Sequence, residues 1–279
     1  MSKDVAHGLM RLVNNYAIVT GGAQGIGRGI AEELMDHGAS VALADIDEES
    51  ARETSDELSS EYEGEAIAIR CDVTDSDSVD SMVDRAIEHF GEIGILVNNA
   101  GAADLARTWE MPESEWRQTI DVCLNGPFLC TKRVLNHVLD AGHDGAIVNV
   151  SSLNYTAATD GLPHYSAAKA GVSQFTKVVA AEAGRYGIRV NAVAPGSTRT
   201  PMTENNGLLE GQIGEEFLDR TVLERRFGEP DDVGNVVAFL CSEYAEWVTG
   251  ETICVDGGQH IRGLHSYWDT LDEMGLVDD

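Results

Sequence analysis

Thr20-Gly21-Gly22-Ala23-Gln24-Gly25-Ile26-Gly27 follows directly on the apolar run Tyr16–Thr20 and opens the helical pattern Ile26–His37. Glycines at 21, 25 and 27 allow a tight turn, and they let backbone N–H groups approach a pyrophosphate at the positive end of the helix. The spacing G-x-x-x-G-x-G differs from the G-x-G-x-x-G of the common dinucleotide fingerprint. A glycine-rich turn alone is a weak signal. Its place between a strand and a helix makes it a nucleotide site, with Gly21, Gln24, Gly25, Ile26 and Gly27 as its contacts.

Outward from this turn, short apolar runs alternate with longer helical patterns. Tyr16–Thr20, Ser40–Asp45, Ala66–Arg70, Ile95–Asn98, Ala146–Val150, Arg189–Ala194 and Thr252–Val255 read as strands. Ile26–His37, Glu48–Glu61, Ser76–Phe90, Glu113–Leu139, Tyr165–Tyr186 and Asp231–Leu240 read as helices. Such alternation implies right-handed crossovers and an α/β fold, a doubly wound parallel sheet with helices on both faces. With no repeat and no linker, residues 1–279 are expected to form one domain with its core over 14–258. The irregular segment 196–228 is expected to be a mobile flap over a ligand site, and 259–279 a C-terminal extension.

Polar groups beyond the carboxyl ends of parallel strands are where ligands bind in open sheets. Asp45 ends the second strand, 18 residues after Gly27, where a carboxylate can accept from the adenosine ribose hydroxyls. It would repel a 2′-phosphate, and no Arg or Lys stands in the glycine turn or beside it, so NAD is expected over NADP. Asp72 and Val73 follow the third strand, with Asp72 placed to accept from the adenine amino group. Asn99, Ala100 and Gly101 follow the fourth.

Tyr165 and Lys169 are four apart in a helical pattern and share a face. A phenol titrates near pH 10 and is a poor base at neutrality, and a nearby ammonium favours its ionised form. Ser152, at the end of the fifth strand, supplies a hydroxyl that could hold a substrate oxygen.

Taken together, the chain resembles the short-chain dehydrogenase/reductase family. The matching motifs are Thr20–Gly27, Asn98-Asn-Ala-Gly101, Ser152, Tyr165-Ser-Ala-Ala-Lys169, Arg189-Val-Asn-Ala-Val-Ala-Pro-Gly196 and Asp256-Gly-Gly258. The resemblance implies a seven-stranded Rossmann sheet and exchange of hydride with NAD. Tyr165 would be the acid/base, Lys169 would bind the nicotinamide ribose and tune Tyr165, and Ser152 would orient the substrate. Pro195, Gly196, Thr198 and Thr200 would contact the nicotinamide end. It also implies a homotetramer or homodimer built on the helices 113–139 and 165–186. One position departs: where family members carry an Asn that supports a proton-carrying water beside the lysine, this chain has Cys123. Asn125, two residues on, lies about 200° further around a helix and cannot simply replace it.

The substrate is expected to be a small hydroxylated molecule such as a sugar, polyol or hydroxy acid. Asn154, His164 and Asn205 are the candidate contacts, with Tyr155, Thr159, Thr203 and Asn206 nearby. His265, Tyr267 and Trp268 in the extension could close a pocket of the same or a neighbouring subunit. Two alternatives are a 3-oxoacyl-thioester reductase of lipid metabolism and a non-catalytic NAD-binding sensor. Asp45 and the net charge argue against the first. The presence of both Tyr165 and Lys169 argues against the second.

That net charge is −29, from 48 acidic and 19 basic residues spread along the chain. Only four of the basic residues are Lys. Such a surface suits a salt-loaded cytoplasm, because at molar salt the Debye length is about 3 Å and self-repulsion is screened. It argues against nucleic acid and anionic membranes as partners. Five cysteines show no metal spacing and suggest reduced cytoplasmic thiols, mostly core fillers, with no metal expected. No signal-peptide pattern and no membrane-spanning apolar run is apparent.

Overall fold

A computed structural model describes residues 11–13, 15–205, 207–223, 226–264 and 274–275. His265, Tyr267, Trp268 and Asn206 lie outside the described residues. Among those described, seven strands form one sheet: β1 (Tyr16–Thr20), β2 (Ser40–Asp45), β3 (Ala66–Arg70), β4 (Ile95–Asn98), β5 (Gly145–Val150), β6 (Ile188–Pro195) and β7 (Thr252–Val255). Their order is β3-β2-β1-β4-β5-β6-β7, and every neighbouring pair runs parallel. Each strand falls within one residue of its expected limits.

The helices divide between the two faces as strand periodicity requires, since successive side chains point to opposite sides. Ala17 and Val19 of β1 join a core with α1 (Gly25–Asp36), α2 (Glu48–Glu61) and α9 (Pro230–Cys241). Ile18 joins the opposite core, with α3 (Ser76–Phe90), α5 (Gly126–Ala141) and α6 (Pro163–Ala183). Asp47 caps α2 by accepting from the Ser50 N–H, and Asp75 caps α3 by accepting from the Asp77 N–H. A buried polar ladder ties the second face to the sheet beneath the site. The Asn98 amide donates to Asn149 at 2.8 Å and to the Thr131 hydroxyl at 3.0 Å, and the Asn149 amide donates to Thr176 at 2.9 Å.

Three features differ from the sequence expectation. The helix expected over Glu113–Leu139 is α4 (Glu113–Ile120), a π turn over Asp121–Asn125, and then α5. Pro127 has no N–H to bond the carbonyl four residues back, and its ring would clash there. Widening the turn by one residue, with the Gly126 N–H on the Asp121 carbonyl, accommodates it. Segment 196–228 is less irregular than expected, because it holds α7 (Pro201–Asn205) and α8 (Gly211–Arg220). Phe217 of α8 packs with Phe227, Leu162 and Leu209 in a small cluster of its own. Finally, Gln259–Arg262 form a short helix, α10.

All five cysteines are free, and Cys71, Cys123, Cys130 and Cys241 are buried. Burial pushes the Cys71 thiol up to about 11 and that of Cys241 up to about 12, so both stay protonated as apolar filling. Among the described residues, no helix is long and apolar enough to cross a membrane.

Candidate active site

The sheet order reverses between β1 and β4, and the cleft at their carboxyl ends is the place where such sheets bind ligands. The glycine turn lies there. Gly21 has φ +63°, a conformation that L side chains rarely adopt. A Cβ at Gly27 would overlap the carbonyl oxygen of Gly21, so the turn closes only without a side chain at that position. Asn99 clamps it from β4, its amide donating to the Thr20 carbonyl at 2.9 Å and the Gly21 carbonyl at 3.0 Å. The Thr20 hydroxyl accepts from the Asn99 and Ala100 N–H groups at 3.0 and 3.1 Å. Unlike α2 and α3, α1 begins without a side-chain cap: Gln24 is exposed and makes no capping bond. Its first N–H groups are therefore offered to a ligand, and the positive end of the helix favours an anion. Ile26 turns towards the core of α1, while Gly25 faces Thr200 of the segment after β6.

Asp45 ends β2 beside this turn. Its carboxylate accepts from the Ala23 N–H and the Asp47 N–H, each at 3.1 Å, which fixes its direction. Arg28, the first basic residue past the turn, is engaged by Glu32 at 2.8 Å and Glu57 at 3.0 Å. One oxygen of Asp72 accepts from the Thr74 hydroxyl and N–H, and these bonds hold its carboxyl below the usual range. Val73 is buried against Gly126, where a Cβ would press on its side chain.

The chemical side chains converge at the end of β5. Lys169 is 3% exposed, and its ammonium donates to the Val150 carbonyl at 2.8 Å. The same nitrogen stands 5.4 Å from the centre of the Tyr165 ring. Ser151 locks the helix to the strand, donating to the Lys169 carbonyl at 3.0 Å and meeting the Ser173 hydroxyl at 2.9 Å. The next residue, Ser152, donates to Asn154 at 3.0 Å, and the Asn154 amide reaches Ser166 of α6 at 3.4 Å. Asn154 therefore bridges the serine loop to the helix that carries Tyr165. The phenol oxygen makes no hydrogen bond among the described residues.

The π turn brings Cys123 to this group. A Cβ on Gly101 would lie 3.7 Å from both the Cys123 sulfur and the Lys169 nitrogen. The thiol is wholly buried and donates to the Ala102 carbonyl at 3.5 Å. Asn125 turns the other way, exposed and donating to Asp121 at 2.7 Å.

Pro195 ends β6, and Gly196 packs so closely on Asp256 and Gln259 that no side chain would fit. Thr198 is buried and donates to the Gly196 carbonyl at 3.1 Å. Thr200 meets the Thr203 hydroxyl at 3.1 Å. Gln259 went unnoticed in the sequence. It is 2% exposed, accepts from the Ser197 N–H at 2.9 Å, and donates to Thr221 at 3.0 Å and the Phe217 carbonyl at 3.3 Å. It thereby ties the start of segment 196–228 to the C-terminal end of α8.

Of the expected substrate contacts, Asn154 lies in the site and Asn205 is exposed at the end of α7. His164 is fully buried and neither ring nitrogen has a hydrogen-bond partner among the described residues. Burial lowers its pKa, against the opposing pull of the Glu115 and Asp104 charges.

A parallel sheet with an open helix N-terminus at its switch point, and a Tyr–Lys pair beside a serine at the end of β5, define a dinucleotide-binding oxidoreductase. Residues 21–260 match the family model described as enoyl-(acyl carrier protein) reductase. BbsD of Thauera aromatica, a subunit of a hydroxy(phenyl)methylsuccinyl-CoA dehydrogenase, is 39% identical over 90% of this chain and 99% of its own. The 3-oxoacyl-(acyl-carrier-protein) reductase FabG of Staphylococcus epidermidis is 37% identical over 89% of this chain and 100% of its own. A short-chain type dehydrogenase/reductase from Mycobacterium ulcerans superposes with a TM-score of 0.90 at 27% identity, covering 96% of this chain and 97% of that one. The chain belongs to the short-chain dehydrogenase/reductase family.

Proposed function

We propose that the protein is an NAD-dependent dehydrogenase that interconverts a secondary alcohol and its ketone on a small hydroxylated molecule. The observation that carries this reading is the Lys169 ammonium, buried, bound to Val150 and facing the Tyr165 ring beside Ser152. In this reading the uncapped start of α1 holds the cofactor pyrophosphate and Asp45 accepts from the adenosine ribose hydroxyls. Asp72 receives the adenine amino group, and Lys169 binds the nicotinamide ribose. The nicotinamide held there would supply the acceptor for the hydride leaving the alcohol carbon. Ser152 orients the substrate oxygen, and Tyr165 takes its proton in oxidation or returns it in reduction. Pro195, Gly196, Thr198 and Thr200 line the nicotinamide end, where segment 196–228 closes over the site. Exposed Phe128, Leu139 and Val178 on α5 and α6 support assembly as a homodimer or homotetramer through those helices.

A second reading, reduction of a 3-oxoacyl thioester, is favoured by the names of the relatives and by the apolar exposed side chains Met202, Val222 and Leu223 in segment 196–228. One assay separates the two. Reduced-cofactor absorbance is followed with polyols, sugars, hydroxy acids and 3-hydroxyacyl-CoA, each with NAD and with NADP. Turnover of a polyol, sugar or hydroxy acid with NAD supports the first reading, and turnover of the thioester alone with NADP overturns it. Asp45→Ala is expected to weaken NAD and to narrow the NAD/NADP ratio of kcat/KM by about tenfold or more, since each lost charge-assisted bond is worth about 1.5–3 kcal/mol. An unchanged ratio removes Asp45 from the ribose. Activity is expected to rise severalfold towards molar KCl as the −29 surface is screened. Full activity and stability in dilute buffer would refute the salt-adapted reading.

A further inference from the structure

The end of β7 and the start of α10 bring together three side chains that the hydride chemistry leaves unused. Cys254, Asp256 and His260 offer a sulfur, a carboxylate oxygen and a ring nitrogen that all lie within 4.8 Å of one another. We propose that they form a binding site for a borderline-soft divalent cation of the zinc type, with water in the fourth position.

The donor set points to that class. Thiolate and imidazole ligands select zinc-like ions, whereas magnesium and calcium require oxygen. Cys254 is the one cysteine of the five that is not buried, so it alone is open to an ion arriving from solvent. The Asp256 side chain is 3% exposed and is aimed before any ion arrives. The Gly258 N–H donates to one of its oxygens at 3.0 Å, and the His260 N–H to the other at 2.7 Å. The His260 ring, with its side chain 44% exposed, can swing; its Nδ1 now lies 2.8 Å from that second oxygen. Ligand atoms around a tetrahedral zinc, with bonds of about 2.0–2.3 Å, sit about 3.4–3.6 Å apart. From separations of up to 4.8 Å the sulfur must close in by at most about 1.4 Å, while the Asp256–His260 pair, now at 2.8 Å, must open by about 0.6–0.8 Å; the exposed imidazole and the partly exposed thiol can supply both movements. The Tyr155 hydroxyl lies 4.0 Å from the Cys254 sulfur.

On binding, the thiol S–H bond is replaced by an S–metal bond and the proton passes to solvent; nothing is oxidised. The ion would act beyond its ligands. Gln259, between Asp256 and His260, ties Ser197, Phe217 and Thr221, so a fixed α10 holds the start of segment 196–228 together with the C-terminal end of α8.

Cobalt(II) is the probe, because thiolate ligation gives a near-ultraviolet charge-transfer band and tetrahedral geometry gives intense visible bands. Titration of the metal-stripped full-length protein is expected to saturate at one ion per chain. Zinc should displace the cobalt and magnesium should not. Cys254→Ser should lose the charge-transfer band. His260→Ala, at an exposed position, should keep the fold by circular dichroism and weaken cobalt by at least about tenfold, as expected for loss of one ligand. Zinc should also slow tryptic cleavage at Arg220 in the unmodified chain and leave the rate unchanged in His260→Ala. Absence of the band, or a band of full strength in Cys254→Ser, overturns the proposal.

Discussion

Tyr165→Phe is expected to lower kcat by about 10²–10⁴-fold, the range supplied by a positioned acid/base, while leaving the affinity for NAD within about twofold. The substitution removes one oxygen and keeps the ring whose face the Lys169 ammonium approaches at 5.4 Å. The phenol oxygen bonds to no other described group, so its loss leaves no buried donor or acceptor stranded, and the melting temperature should not fall. An activity loss without a stability loss is what separates a proton-transfer role from a packing role. Cofactor binding is read by fluorescence of the reduced dinucleotide, and turnover by its absorbance. Unchanged kcat would remove Tyr165 from the chemistry. A large fall in melting temperature together with kcat would make the residue structural.

The central strands were legible because they are buried from both sides and so read as apolar, β-branched runs, such as Ile-Leu-Val before Asn98, and the partly buried edge strands β3 and β7 keep the same apolar character. The glycine turn was legible because its backbone demands are local. The Tyr165–Lys169 pair was legible because helical spacing fixes a shared face. The sequence could not reveal features that depend on what packs against a residue. His164 is one position from Tyr165, and a step of about 100° around the helix takes it from the site into the interior. The π turn requires Pro127 together with the packing of Gly126 on Val73, a contact made across the fold. The short helices α7 and α8 are separated by Gly207, and α8 itself carries Gly211 and Gly214, which weakens any periodic signal. Gln259 gains its meaning only when the chain after β7 folds back on Ser197 and Phe217, and the Cys254–Asp256–His260 grouping only when the turn into α10 brings its three side chains together.

Lys169→Met should give a more instructive result than a simple loss. Turnover is expected to fall by about 10²–10⁴-fold, because the charge beside the phenol disappears together with the proposed contact to the nicotinamide ribose. Stability is expected to hold or rise. Lys169 is 3% exposed and its ammonium has one hydrogen bond among the described residues, to Val150 at 2.8 Å, so most of its lost hydration is uncompensated by them. Burying such a charge costs several kcal/mol, whereas Met keeps the length of the stem and strands only the Val150 carbonyl, at about 1–3 kcal/mol. A lysine retained for structure would give the opposite pattern, a lower melting temperature with turnover per folded molecule intact. Lys169→Arg completes the test. It keeps the charge but replaces a compact head with a wider planar one, in a space bounded by Gly101, Cys123 and the Tyr165 ring. Turnover should stay depressed while NAD affinity recovers in part. Full activity in Lys169→Arg would mean that charge alone suffices and that the 5.4 Å placement of the ammonium is not what the reaction uses.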